Sequence, residues 1–152
     1  MTESCPISPD LVDGRATRIG AGLVILLTLA SLGLDQAWLP LLLALDFGLR
    51  SLGWNGWSPV AQAARVLRSA AGLQPQPTNA GPKRFAAVVG TAFGLGIALA
   101  LHFHQPGLVR ALAAVLILCA ALEAFLGFCV GCRVYSLLKA AFPARPIPLE
   151  HP

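Results

Sequence analysis

Charge is what this sequence has least of. Only 18 of its 152 residues are charged, 11 basic and 7 acidic, about half the share of a water-soluble domain. So few cannot coat a globule of this length, which excludes a soluble domain. The net charge of +4 does not point to nucleic acid, because the basic residues form no stripe and have no interleaved aromatics. Cysteine is scarce as well. Four thiols in so apolar a chain exclude a secreted disulfide framework, which needs a small, polar, loop-rich domain. A second Cys-x-x-C, which would complete a four-thiolate metal site, is absent.

Apolar residues are plentiful: 56% of the chain, or roughly two thirds once the 15 glycines are added, against about 45–50% for an average domain. With a mean hydropathy of +0.70, the expected solvent is the bilayer. Four apolar runs are long enough to consider as spans, at about residues 19–34, 37–53, 85–101 and 107–130. The fourth run continues to about residue 138 and has room to cross and emerge. The first is short, at 16 charge-free residues behind Arg15 and Arg18. A cleavable signal is not expected there, because Leu32, Gly33 and Leu34 lead to Asp35 and a further apolar run instead of a small-x-small site and a polar chain.

Between the second and third runs, Ser58-Pro59 is a helix start signal. After it Val60, Ala64, Leu67 and Ala71 recur at helical spacing opposite Gln62, Arg65, Arg68 and Ser69. That pattern predicts an interfacial amphipathic helix over 58–71. Residues 74–82 read as turn and linker, and 141–152 as a flexible Pro-rich tail. The expected fold is therefore all-α: one integral-membrane four-helix bundle over 1–140, with the amphipathic helix between spans two and three.

Orientation follows from Arg15, Arg18, Arg65, Arg68, Lys83, Arg84, Arg133, Lys139 and Arg145, which would share one side of a four-span chain, against Arg110 alone on the other. Positive charge stays inside, so both termini are expected to be cytoplasmic, in a bacterial cytoplasmic membrane. In the third run Ala86, Gly90, Gly94 and Ala98 form a small-residue ridge for close helix packing, with Gly127 and Gly131 read the same way in the fourth.

Ionisable groups at membrane depth are costly and point to sites. Asp46 and Arg50, four apart, are expected to pair on one helix face, as a structural ion pair or as part of a substrate or proton path. Glu123 is the only ionisable group in the central part of the fourth run, with Cys119 one turn before it. His102 and His104 are two apart, the wrong spacing for a helical metal pair, and read as interfacial. The sharpest signal is Cys129-Val130-Gly131-Cys132-Arg133, two thiols one helical turn apart that can close a disulfide. Cys5 would join them at the same face. In that chemistry one of Cys129 and Cys132 attacks and the other resolves, Cys5 exchanges, Arg133 favours thiolate and Glu123 handles a proton. One difficulty is foreseen, because the C-terminal end of a continuous fourth helix would oppose thiolate unless the glycines interrupt it.

Cys5-Pro6 with Asp13 and Arg18, the run Gly81-Pro82-Lys83-Arg84-Phe85, and the block from Glu123 to Tyr135 resemble an uncharacterised bacterial membrane family, domain of unknown function four-three-nine-five, over about residues 5–138. The resemblance implies thiol or sulfur chemistry beside a thioredoxin-like or rhodanese-like soluble partner. The leading expectation is thus a membrane thiol or sulfur-redox protein, needing no cofactor or bound metal, that exchanges electrons or sulfane sulfur at the cytoplasmic face. Two readings compete with it: a small carrier or channel subunit for a sulfur-containing solute, and a non-catalytic membrane scaffold or assembly factor, with or without a soft metal held through Cys5, Cys129 and Cys132.

Overall fold

The structure, a computed structural model, describes residues 11–34 and 36–141. Cys5 and the tail from residue 142 lie outside the described residues. A short strand, β1 (Leu11–Asp13), runs directly into α1 (Gly14–Leu34). Asp13 Oδ1 accepts the backbone N–H groups of Arg15 at 3.0 Å and Ala16 at 3.3 Å. Asp13 therefore caps α1, and the helix starts ahead of its apolar run. The expected short span becomes a 21-residue helix with both arginines in its first turns.

After α1 come α2 (Trp38–Ser51), α3 (Pro59–Ala70), strand β2 (Pro77–Asn79), α4 (Ala80–His102), α5 (Pro106–Ala121) with a terminal π-helical turn at Leu122–Leu126, and α6 (Val130–Ala141). Three helices, Gly14–Leu34, Ala80–His102 and Pro106–Leu126, are long and apolar enough to cross a membrane. The 14 residues of α2 reach only about 21 Å, short of a hydrocarbon layer of about 30 Å.

The packing is inverted relative to a soluble bundle. Gly20, Ala21, Thr28 and Ser31 of α1 are buried while Leu26 and Leu29 are exposed. Likewise α4 buries Gly90, Gly94 and Ala98 and exposes Leu95 and Leu99. Large apolar side chains facing outward suit lipid contact, and small ones inside let backbones approach. The ridge expected on the third run carries these approaches: a Cβ on Gly90 would lie 2.9 Å from the Phe47 ring, and one on Gly94 2.9 Å from the Ala44 backbone nitrogen. α2 thus lies along α4 at van der Waals distance.

Ser58 caps α3 as its sequence predicts, accepting the Ala61 N–H at 3.1 Å. Val60 and Ala64 turn inward against Gly20 of α1. The stretch read as linker differs: β2 pairs antiparallel with β1, Val12 opposite Thr78, and α4 already begins at Ala80. Asp13 is the reason. Its Oδ1 also accepts the Gln76 N–H at 3.1 Å, its Oδ2 meets Arg68 Nε at 2.9 Å, and Gly14 N–H donates to Gln76 O at 2.7 Å. Burial alone would raise the Asp13 pKa, but the N–H donors of Gln76, Ala16 and Arg15, with Arg68, outweigh it and hold it below the usual value. One carboxylate so joins the start of α1, the end of α3 and the strap leading to α4, and the starts of α1 and α4 come to the same end of the molecule.

Candidate functional site

The fourth apolar run is not one helix. It passes through the π-helical turn at Leu122–Leu126, and Gly127 takes the left-handed conformation at φ 66°, where a side chain would be strained. Arg18, reaching from α1, donates to the freed carbonyls of Ala124 at 3.2 Å and Phe125 at 2.9 Å. A fresh helix, α6, then starts at Val130.

This break resolves the difficulty with the thiols. Cys129 occupies the N-cap position of α6, its carbonyl accepting the Arg133 N–H at 3.1 Å. Cys132 is the third residue of that helix. Both are free thiols, each partly buried. The Cys129 pKa is lowered chiefly because the Cys132 thiol donates to it; burial works the other way, and the Cys132 backbone N–H adds a second donor, while the Glu123 charge opposes. The same hydrogen bond, together with burial, pushes the Cys132 thiol up. Two chemically identical side chains are therefore separated into a thiolate-prone Cys129 at a helix N-terminus and a protonated Cys132 one turn on.

Gly131 fixes where this pair sits. A Cβ there would lie 2.7 Å from Ala86 Cβ and 2.8 Å from Ala86 Cα, so the glycine of the motif is a packing residue that seats α6 on α4, with Phe85 and Tyr135 in ring contact at 5.7 Å. Gly131→Ala is expected to lose about 2 kcal/mol in detergent unfolding and to slow alkylation of Cys129, with part of both recovered when Ala86→Gly is added.

Glu123 is 8% exposed, and Lys83 Nζ at the start of α4 donates to its Oε1 at 3.0 Å. Its Oε2 is buried without a hydrogen-bond partner among the described residues. The sequence marks Lys83 as one of the basic residues that set orientation and as part of the Gly81–Phe85 run, without revealing this partner. Its position in the first turn of α4, where the helix dipole disfavours a cation, is the signal that it has another partner. Arg133 lays its guanidinium over the Phe128 ring at 5.2 Å.

Asp46 and Arg50 do share a face, yet their closest approach is 3.8 Å. Asp46, 1% exposed, spends its Oδ1 on the Ser58 hydroxyl at 2.6 Å and the Val60 N–H at 2.9 Å. It is a buried cap of α3 first and an ion-pair partner second.

Behind the thiols lies a cavity of about 370 Å³ walled by Phe47, Phe85, Phe93 and Leu116, with Cys119 in its lining and Arg50, Lys83, Glu123 and Cys129 at its polar end. Arg50 also borders a second cavity of about 180 Å³, where Arg65, Lys83, Arg84 and Asp13 meet. Among the described residues no three His, Cys, Asp or Glu side chains converge as a metal site would require. His102 and His104 stand at the opposite end of α4.

No curated protein and no solved structure matches the chain. A family model does match, over residues 12–140, and its description is a domain of unknown function, DUF4395. Cys5-Pro6 falls outside that match. Because the match runs from β1 almost to the end of α6, the chain belongs to the DUF4395 family.

Proposed function

We propose that this protein is a membrane-embedded dithiol exchanger, in which Cys129 and Cys132 pass electrons or sulfane sulfur to and from a thioredoxin-like or rhodanese-like soluble partner. The observation that carries the reading is the placement of Cys129 at the N-cap of α6, with Cys132 protonated beside it. A thiolate attacks and a thiol resolves, and this pair is divided in that way. Cys129 Sγ attacks one sulfur of the partner's disulfide, forming a mixed disulfide and releasing the partner's other sulfur as thiolate. Cys132 then attacks Cys129 Sγ. The Cys132 proton goes to one departing thiolate and the other takes from water the proton that Cys129 had released on ionising, so the protein is left with one S–S bond and the partner with two thiols. Run backward, the same steps reduce the pair. With a persulfide, Cys129 takes the outer sulfur and the partner leaves as thiol.

The architecture proposed with this chemistry is a four-helix bundle in which α1, α2, α4 and α5 cross the bilayer and α3 lies in the interface. Supporting it, the starts of α1 and α4 and the end of α5 meet through the β1–β2 pair, Arg18 and Lys83, so α2 has to return the chain between α1 and α3. Trp38 stands at one end of α2 and Trp54 and Trp57 beyond the other, all exposed, as interfacial aromatics are. The thiol end also carries Arg15, Arg18, Arg65, Arg68, Lys83, Arg84 and Arg133, and under the positive-inside rule this charge supports a cytoplasmic position for it in a bacterial membrane. Cys5 would be a third thiol there.

Trapping tests the exchange. With an oxidised thioredoxin-like protein, Cys132→Ser should accumulate a mixed disulfide at Cys129, with the trapping rate rising at a lower pH than for an ordinary thiol because the Cys129 pKa is lowered. Cys129→Ser should trap nothing, and Cys119→Ser should behave as the parent. Equal trapping by both single variants, or by neither, would overturn the assignment of roles.

A further inference from the structure

The thiol pair has two sides. The outer one, at exposed Phe128 and Arg133, is open at the surface; the inner one opens into the apolar cavity behind Cys129. We infer that this cavity binds a lipophilic quinone, which takes two electrons from the Cys129–Cys132 pair and leaves as quinol. The inference rests on the dithiol reading above and adds to it the substrate on the membrane side.

Three features of the cavity select this class. Its walls are mostly aromatic and aliphatic side chains from the helices proposed to span the membrane, closed at the thiol end by Val130 and Val134 of α6, so its occupant is a molecule that dissolves in the bilayer. Phe47, Phe85 and Phe93 put aromatic rings into its lining, which suits a flat conjugated head. Its polar end holds Lys83 and Arg50 as donors for carbonyl oxygens, and Glu123, whose buried Oε2 has no partner among the described residues, as an acceptor for a hydroxyl. A quinone presents carbonyl oxygens to the first pair, and its reduced form presents hydroxyls to the carboxylate. An acyl chain would satisfy the walls and leave the polar end unmatched.

The step balances. Cys129 thiolate adds to a ring carbon, and the ring electrons move onto a carbonyl oxygen, which takes a proton. Cys132 then attacks Cys129 Sγ, the carbon–sulfur bond breaks with its electron pair remaining on the ring, and the second oxygen is protonated. Two S–H groups and one quinone become one S–S bond and one quinol. One proton comes from Cys132; the other replaces the one Cys129 gave to water, with Glu123 as the relay. A soluble dithiol partner then reduces the disulfide again.

The test uses the full chain in phosphatidylcholine vesicles, reduced, with decylubiquinone as the probe. One quinone should be consumed per disulfide formed. Ala120→Phe, which fills the cavity from a buried position on α5, should slow quinone reduction at least tenfold while exchange with the soluble disulfide protein continues. A parent chain that exchanges with that protein but leaves decylubiquinone unreduced would sink the quinone inference and spare the exchange reading; failure of both reactions would remove both. An Ala120→Phe chain that reduces quinone at the parental rate also overturns the inference, because the reaction then occurs elsewhere. A second measurement needs no new packing. In the Cys129→Ser/Cys132→Ser chain, decylubiquinone should slow N-ethylmaleimide labelling of Cys119, which lines the cavity, at least fivefold beyond phosphatidylcholine alone. Labelling unchanged by the quinone would identify the cavity as lipid-filled and overturn the inference.

Discussion

Asp46→Ala should cost about 3 kcal/mol in reversible SDS unfolding, whereas Asp46→Asn should cost about 1 kcal/mol or less. The asymmetry comes from how the carboxylate is used. Oδ1 holds the Ser58 hydroxyl at 2.6 Å and the Val60 N–H at 2.9 Å, and alanine leaves both of these buried donors unsatisfied. Asparagine keeps an oxygen in that place. What asparagine loses is the charge facing Arg50, but that contact is 3.8 Å long, beyond hydrogen-bond range, and Arg50 has the Phe47 ring beneath it at 5.5 Å. Arg50→Gln should accordingly be mild. If the asparagine variant is as damaged as the alanine one and Arg50→Gln rescues it, the pair outweighs the cap, and Asp46 returns to the role its spacing from Arg50 suggested.

That case also shows where sequence reading reaches its limit. Ser58-Pro59 announced α3, because capping and helical periodicity are local. The ridge of Ala86, Gly90 and Gly94 on α4 was legible for the same reason, each small residue lying opposite a neighbour that needs the space. The cap that Asp46 provides was not legible, since nothing in a spacing of four toward Arg50 reveals a hydroxyl twelve residues on. The break before Cys129 was legible only as an alternative that Gly127 and Gly131 raised. Glycines are common in membrane helices, and Gly127 ends one where Arg18, far back on α1, takes the freed carbonyl of Ala124. The strap at 74–79 was read as linker because a three-residue ladder has no periodicity to detect; its order comes from Asp13, on the far side of three helices. In each miss, a polar side chain distant in sequence settles a local choice that apolar patterning leaves open.

A single substitution at Glu123 should move stability and thiol reactivity in opposite directions. Lys83 and Glu123 are held at 3.0 Å with side chains 14% and 11% exposed, so Lys83→Met strands a carboxylate and should cost about 3–5 kcal/mol. Glu123→Gln strands the ammonium and should cost a similar amount. The double variant Lys83→Met/Glu123→Leu removes both charges and should recover most of the loss, because desolvating the pair is itself expensive. Reactivity follows a different rule. The Glu123 charge works against thiolate at Cys129, so Glu123→Gln and the double variant should both alkylate Cys129 faster than the parent at neutral pH, with the reactive form appearing at lower pH in a rate–pH profile. A destabilised site that merely frays would speed alkylation of Cys132 and Cys119 as well. Acceleration confined to Cys129, with its pH profile displaced downward, would show that Glu123 acts on that thiol through its charge and holds the exchange site in check.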